Sequence, residues 1–419
     1  MTLIKTSILS FIATAVRLLS GLIINKAIAL YIGPSGLAAI GQFQNFLQLT
    51  MVTSQGAINA GVTKYTAEYG KESDKLPTLF STAFKISASC SLLVCILMLL
   101  FSNYAAQLIF KDPKYSYLFI ILGFTIIFYT LNALLLSILN GLKEIPLFIG
   151  INISQSVYSL IFTTLLIFFF GLDGALIALV TNQSVIFVFL SWQVKRHAII
   201  KIQNFREKFD NEEAIKLGKY AGMAITSAIT IPLSHLYIRD YIGNNLGWDA
   251  AGYWQAIWYI SSMYLMVITT ALGIYYLPRL SEIKDKTELK KELFNGYKII
   301  LPIISFISLI VFLAKDFVIW LLFTDDFQPM RELFLWQLVG DVIKIASWLL
   351  SYLMLAKAMA KVFIITEIIF SIIFVILSVI FLDNYGLIGI TYAFSLNYFF
   401  YLVFMILLIR NYLAKRTEV

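Results

Sequence analysis

The stretch SILSFIATAVRLLSGLIINKAIALY, residues 7–31, decides how the chain is read. It is long enough to cross a bilayer, for which about 20 consecutive apolar residues suffice. Yet Arg17 sits close to its middle and Lys26 nearer its far end. A cation at mid-membrane costs roughly 2.5–3.5 kcal/mol even on the lenient insertion scale. A helix that carries one turns it toward an aqueous cavity or an internal partner. The stretch therefore predicts a bundle of membrane helices around a cationic cavity that receives an anion.

Composition agrees. Of 419 residues, 60% are hydrophobic and 13% charged, where a soluble domain has about a quarter charged. The chain reads as a polytopic membrane protein. Its net charge of +8 does not point to nucleic acid, because the cations sit in short loops between apolar runs. Cys90 and Cys95 share one apolar run and offer neither a disulfide framework nor metal-ligand spacing. His197 and His235 form no cluster. Lys5, the Ile8–Ile12 run and Ala13-Thr14-Ala15 faintly imitate a signal peptide, but the apolar run continues past Arg17 to Tyr31, as an uncleaved first helix would.

Twelve spans are expected, near 7–31, 37–62, 79–102, 116–139, 146–170, 174–194, 219–240, 253–278, 298–314, 333–355, 362–382 and 388–409. The runs are long and continuous, which excludes a transmembrane sheet barrel. The expected fold is an all-α polytopic membrane protein of about 12 transmembrane helices. Lys and Arg alternate in density along the loops: 23 of the 32 fall on one face, 5 on the other and 4 inside spans. The densest group runs from Lys195 to Lys219. The positive-inside rule then puts both termini in the cytoplasm.

An internal repeat supports two lobes. Tyr31-Ile32-Gly33 returns as Tyr241-Ile242-Gly243, and Ala38-Ala39, Gly41 and Gln44 are echoed by Ala250-Ala251, Gly252 and Gln255. Leu108-x-Phe110-x-Asp112 matches Leu321-x-Phe323-x-Asp325. Gly171-Leu172-x-Gly174-x-x-x-Ala178 matches Gly386-Leu387-x-Gly389-x-x-x-Ala393. The offsets are 210 to 215 residues, in order. The chain is therefore expected to hold a six-helix lobe at 1–205 and another at 206–419. A pseudo-two-fold along the membrane normal relates them, with the cationic cavity at the centre. The segment Asp316–Phe323 either extends the ninth span or lies in the interface, and its repeat partner Tyr104–Phe110 shares that ambiguity.

Arg17 is the sharpest candidate for anion binding, lying about 15 Å down its helix; the plainer reading is a structural arginine bonded to neighbouring carbonyls. Lys26, nine residues on, is about half a turn around the helix from Arg17 and near enough to the surface to snorkel. Asp341 and Lys344 share a face at i, i+3, either as an internal ion pair or as a substrate cation with a titrating carboxylate. Glu367 is a second such carboxylate. Lys85 reads as snorkelling. His235, Arg239 and Asp240 cluster near the outer end of the seventh span after Pro232, as an outer gate or a surface anchor. Lys64 and Arg279 close the second and eighth spans, where they either collect an anionic head group or express the positive-inside bias. Trp248, Trp254, Trp258, Trp320 and Trp336 read as an interfacial aromatic belt, or as platforms for sugar rings where they face the cavity. No metal, nucleotide or nucleophile motif is seen, so neither catalysis nor a cofactor is expected.

Gly61-Val62-Thr63-Lys64-Tyr65, Leu277-Pro278-Arg279-Leu280 and above all Trp336-Gln337-Leu338-Val339-Gly340-Asp341-Val342-Ile343-Lys344 resemble bacterial O-antigen and enterobacterial-common-antigen flippases. These are the Wzx-type members of the multidrug/oligosaccharidyl-lipid/polysaccharide exporter superfamily. The resemblance covers nearly the whole chain. It implies a V-shaped pair of six-helix lobes and export across the inner membrane of undecaprenyl diphosphate carrying one oligosaccharide. An O-antigen polymerase and a chain-length regulator are the implied pathway partners. It assigns cavity cations by position to Arg17, Lys26, Lys344 and Arg239. The expected substrate-binding set is thus Arg17, Lys26, Lys344, Asp341, Arg239, Lys64 and Arg279. A cation-coupled multidrug exporter of the same superfamily is the main alternative. It would place carboxylates in the first-lobe spans, which hold none. A membrane glycan polymerase or ligase would need larger outer loops, and a non-transporting scaffold leaves Arg17 without a purpose.

Overall fold

The computed structural model describes residues 3–195, 199–272, 276–283, 285–357 and 359–414. Side chains are described for these except 3–12, 219, 220, 223, 224, 271, 277, 278 and 281. Arg196, His197, Lys284, Lys415 and Arg416 lie outside the described residues.

In lipid, a span must satisfy its own backbone hydrogen bonds, and a helix does so within one segment. The apolar runs accordingly become helices: α1 (Leu3–Tyr31), α2 (Gly33–Ser54), α3 (Asn59–Tyr69), α4 (Leu76–Leu100), α5 (Ser102–Phe110), α6 (Ser116–Gly141) and α7 (Ile145–Val194). The second half gives α8 (Asn211–Leu246), α9 (Trp248–Ala271), α10 (Leu277–Glu282), α11 (Lys286–Leu313), α12 (Lys315–Leu322), α13 (Phe334–Ala356), α14 (Ala360–Tyr385) and α15 (Gly389–Ala414). No strand occurs among the described residues. Seven described stretches are long and apolar enough to cross a membrane by length and composition. Two of them, of 50 and 55 residues, each contain two expected spans. The chain is a multi-pass, all-helical membrane protein.

Those two long stretches turn at the same device. Gly171 inside α7 has φ +53°, and Gly386 after α14 has φ +63°, a region that side chains with a Cβ seldom enter. Three residues further on, the helices touch backbone to backbone. A Cβ on Gly174 would lie 2.0 Å from the Leu166 carbonyl oxygen, and one on Gly389 would lie 2.0 Å from that of Phe381. Each of these pairs is 215 positions apart in sequence, so the repeated Gly-Leu-x-Gly motif builds one elbow twice.

The other repeats are reproduced less evenly. The segments around Phe110 and Phe323 both form short separate helices, α5 and α12, of nine and eight residues. The Tyr-Ile-Gly pair diverges. Gly33 opens α2 at φ +80°, whereas Gly243 lies inside α8, which runs on to Leu246 before Gly247 turns the chain at φ +94°. The Trp248 ring packs on Gly243, leaving no room for a Cβ there, and this extended corner displaces the turn.

The helices group into two compact units: residues 1–32 with 39–232, and residues 33–38 with 233–419. In the first unit, α1 packs along α7, and α6 packs against α3, α4 and α7. Val62, Leu79, Phe80, Ile138 and Leu190 form its core. In the second, α13 lies against α10, α11 and α15, around Leu280, Ile304, Leu349, Leu353 and Met405. The boundary within α8 falls at Pro232.

The basic connecting segment is stitched onto α4 of the first unit. Phe205 stacks on Phe80 with ring centroids 5.9 Å apart. Ser81 and Lys85 both donate to the Glu207 carbonyl at 2.5 Å, which gives the Lys85 ammonium its seat at the end of the span. Thr82 accepts from the Asp210 backbone at 3.1 Å. The first turns of α8 are then held to α3, where Tyr69 donates to Glu213 at 2.7 Å and Lys216 reaches the same carboxylate at 2.7 Å. The Glu213 carboxylate and the Tyr69 hydroxyl hold the Lys216 ammonium above its ordinary pKa.

The elbows yield a direct test. Gly174→Ala and Gly389→Ala force a methyl into a carbonyl oxygen and cost upward of about 3 kcal/mol. Gly150→Ala, where a Cβ meets nothing within 4 Å, gains up to about 1 kcal/mol of helix propensity. Thermal denaturation of the purified protein in detergent measures all three.

Candidate functional site

The first unit contains a polar cavity of about 660 Å³. Four helical segments line it: α1, α6 and the two limbs of α7 on either side of Gly171, the second through Gln183. On α1 the lining residues include Ala13, Arg17, Ser20 and Ile24, a 4-3-4 spacing that keeps them on one side. On α6 they include Tyr129, Asn132 and Leu136; on α7, Asn152, Gln155, Ser156 and Ser159. Among the described residues, Arg17 brings the only charge to this lining. It is exposed, and it makes no hydrogen bond or ion pair among the described residues. Asn132 is 1% exposed and donates to Gln183 at 3.0 Å. Its carboxamide oxygen has no partner among the described residues. Lys26 is not part of the lining and is half-buried.

The second unit treats its charges in the opposite way. Asp341 is fully buried and accepts from the hydroxyls of Ser261 and Tyr264, both at 2.6 Å. The expected Asp341–Lys344 ion pair does not form: no carboxylate oxygen lies within 4.0 Å of the ammonium among the described residues. Lys344 instead sits in a box of four rings. Its Nζ is 4.8 Å from the Trp348 centroid, 4.9 Å from Trp258, 5.5 Å from Tyr398 and 5.7 Å from Phe394. Each such contact is worth about 0.5–2 kcal/mol according to how dry it is, so the rings supply what a carboxylate does not. Gly340 makes the box possible, because a Cβ there would fall 2.4 Å from the Phe394 ring.

Arg239 is no surface anchor. It is 1% exposed, donates to Gln255, and stacks over Trp254 at 5.3 Å. His235 packs edge-on against Trp258 at 4.3 Å. Trp254 is buried and Trp258 packs in this cluster, whereas Trp320 and Trp336 are exposed and Trp248 is half-buried against Gly243. Lys64 is exposed, pairs with Glu68 at 3.7 Å and lies over the Tyr65 ring. Arg279 pairs with Glu288 at 2.9 Å and with Glu282 at 3.9 Å. Among the seven candidates, then, the structure puts Arg17 on the polar cavity of the first unit. It puts Asp341, Lys344 and Arg239 in the packed interior of the second, and Lys64 and Arg279 in surface pairs.

Sequence reasoning from charges alone missed the carboxamides of the cavity. Their signal was present: Asn152, Gln155, Ser156 and Ser159 follow i, i+3, i+4, i+7 within an otherwise apolar run, which is one polar stripe on a membrane helix. The ring box left no comparable signal, since Trp258, Trp348 and Phe394 come from three helices.

An all-helical membrane bundle in two units, with a cation standing in a polar cavity, has the build of a transporter. The chain belongs to the family described as Polysaccharide biosynthesis protein, which matches residues 46–332. It is 28% identical over 406 residues to the Lipid III flippase of Escherichia coli (strain K12) and to that of Shigella flexneri, covering 96% of each chain. Its fold is similar to an inward-facing multidrug resistance MATE family transporter of the MOP superfamily, with a TM-score of 0.80, 15% identity and 96% of both chains covered. It is also similar to the lipid II flippase MurJ in an inward closed conformation, with a TM-score of 0.71, 19% identity, and 97% and 87% of the two chains covered.

The two buried groups of α13 have different expected consequences. Asp341→Ala strands the Ser261 and Tyr264 hydroxyls, each at about 1–3 kcal/mol. Lys344→Met removes a buried ammonium while filling similar space, so it leaves the melting temperature unchanged or raises it. Differential scanning of the two variants against wild type reads the contrast.

Proposed function

We propose that the protein is a flippase for a lipid-linked oligosaccharide. It carries undecaprenyl-diphosphate-linked glycan from the cytoplasmic to the periplasmic leaflet of the bacterial inner membrane. Its cargo is an O-antigen repeat unit or a related glycan. The observation that carries this reading is Arg17, an exposed cation on a polar cavity within a membrane bundle, with no ion-pair partner among the described residues. A fixed charge at that depth is costly and is offset when a diphosphate arrives. Family membership and near full-length similarity to lipid III flippases support the same cargo class.

The two sequence repeats, 1–205 and 206–419, act as the lobes that alternate access, with both termini in the cytoplasm. The lipid tail stays in the bilayer while the diphosphate and glycan cross in a wet path. An O-antigen polymerase and a chain-length regulator would act on the delivered unit. A pump for cationic drugs fits less well, because the cavity of the first unit is lined with a guanidinium and no carboxylate. The protein itself makes and breaks no covalent bond in this scheme.

The energetics favour export. About two negative charges move from the negative to the positive side, which an inside-negative potential assists by roughly 2.3 kcal/mol per charge per 100 mV.

Two tests follow from the anionic cargo. At matched protein level in the membrane, Arg17→Ala abolishes delivery of the lipid-linked glycan to the outer leaflet and Arg17→Lys partly restores it; normal transport by the alanine variant would remove Arg17 from the mechanism. In proteoliposomes, net flipping accelerates as the potential on the cargo side is made more negative, and a flat voltage response would rule out charge-driven export.

A further inference from the structure

We propose that the basic segment after α7 is a docking site for anionic phospholipid headgroups, held on the outer wall of the first unit and separate from the polar cavity. Its assignment to the cytoplasmic leaflet rests on the topology proposed above; its chemistry does not. Residues 195–210 contain five lysines and arginines and two carboxylates, a surplus of three positive charges. Lys201, Arg206 and Lys208 are exposed. None of the three side chains has a hydrogen bond, ion pair or ring contact among the described residues. Other cations of this unit are matched within the protein: Lys71 with Glu144 at 2.6 Å, Lys216 with Glu213 at 2.7 Å and Lys64 with Glu68 at 3.7 Å. Of the two acids, Asp210 is engaged in accepting the Glu213 backbone N–H at 2.9 Å, which leaves Glu207 as the one exposed carboxylate of the described segment.

The seat of the segment decides what these cations meet. Ser81 and Lys85 of α4 both donate to the Glu207 carbonyl at 2.5 Å. At 100° per residue, Ser81 and Leu92 point within about 20° of each other, and so do Lys85 and Ile96. Leu92 is 54% and Ile96 46% exposed. An apolar span that leaves large aliphatic side chains uncovered on one face turns that face to lipid. The face of α4 that carries the segment is therefore its lipid face, and Lys85 precedes Leu92 along it by about 10 Å. That places the segment over the acyl chains at headgroup height, rather than out in bulk water.

The apolar residues between the cations fit the same partner. Ile202 is 75% exposed and Phe209 is exposed as well, whereas Phe205 is turned inward onto Phe80 and Phe84, with ring centroids 5.9 and 6.0 Å apart. Exposed apolar side chains interspersed with lysine and arginine are the composition of interfacial membrane segments, in which the apolar groups enter the acyl boundary and the cations meet phosphate. An acidic protein partner would answer the charges and leave Ile202 and Phe209 in water. The ring stack and the bonds to α4 hold the backbone in place before any lipid arrives, which lowers the entropic cost of binding.

The experiment titrates the full-length protein in detergent with phosphatidylglycerol and with phosphatidylcholine, and counts bound lipid by native mass spectrometry. Hydrogen exchange of residues 199–210 is followed in nanodiscs of each lipid. Wild type is expected to prefer phosphatidylglycerol and to show slower exchange in its presence. The triple variant Lys201→Gln, Arg206→Gln, Lys208→Gln lowers that affinity by at least about tenfold, since each cation near an anionic surface contributes about fivefold, and leaves phosphatidylcholine bound as before. The charge-preserving triple Lys201→Arg, Arg206→Lys, Lys208→Arg retains the preference. Ile202→Ser weakens binding of both lipids. If the glutamine variant does not fold, loss of the wild-type preference at high salt carries the comparison, because screening acts on exposed charge. Equal binding of the two lipids by wild type would overturn the site, as would an unchanged preference in the folded glutamine variant. So would a glutamine variant that keeps its phosphatidylglycerol and loses affinity for undecaprenyl diphosphate, which would make the segment a cargo contact. No arm but that last one involves cargo, so the flippase reading stands or falls separately on the Arg17 variants.

Discussion

A bilayer withholds water, and most of what is distinctive here follows from that. Every polar atom placed in an apolar span must find a partner in the protein or keep contact with a wet cavity. The two units meet this demand differently. The first gathers its polar side chains onto facing stripes of α1, α6 and α7 and leaves a space between them. The second closes over its charges, with hydroxyls around Asp341 and rings around Lys344.

That difference separates two kinds of buried cation. Lys344 and Arg239 are engaged by neighbouring rings and by Gln255 in the protein's own packing. Arg17 stands beside a cavity whose walls contain no carboxylate. A cation already engaged by its own protein has no charge left to offer elsewhere. A cation on the wall of a polar cavity keeps its charge available, which is the basis of the function proposed above. Arginine thus serves packing at Arg239 and, on the function proposed above, cargo binding at Arg17.

Much of this could be read from the chain itself. Long apolar runs dictate helices in lipid, and the interrupted run around Arg17 announces a cavity-facing charge. The paired Gly-Leu-x-Gly motifs foretell elbows, because only glycine serves both the positive φ and the close backbone approach found there. What failed was reasoning from charge spacing within one helix. Asp341 and Lys344 are i, i+3 neighbours, yet Asp341 is claimed by Ser261 and Tyr264 of another helix, and Lys344 by Trp348 one turn on together with Trp258, Phe394 and Tyr398 of other helices. Tertiary partners of that kind have no local periodicity. Arg239 misled for the same reason, since its seat over Trp254 is made by a neighbouring helix. The Tyr-Ile-Gly match misled because a few added residues of helix move a turn while the motif persists.

The doubled elbow has an evolutionary corollary. Two identical six-helix chains associating as a homodimer would be obliged to present two identical interiors, and any residue good for one task would appear in both. Joining the copies in one polypeptide lifts that obligation. If the repeat reflects a duplication, the glycine corners, which geometry does not permit to drift, would be its trace, while the interiors would be free to diverge. One half has a cavity lined by carboxamides, and the other packs aromatic rings around its buried charges.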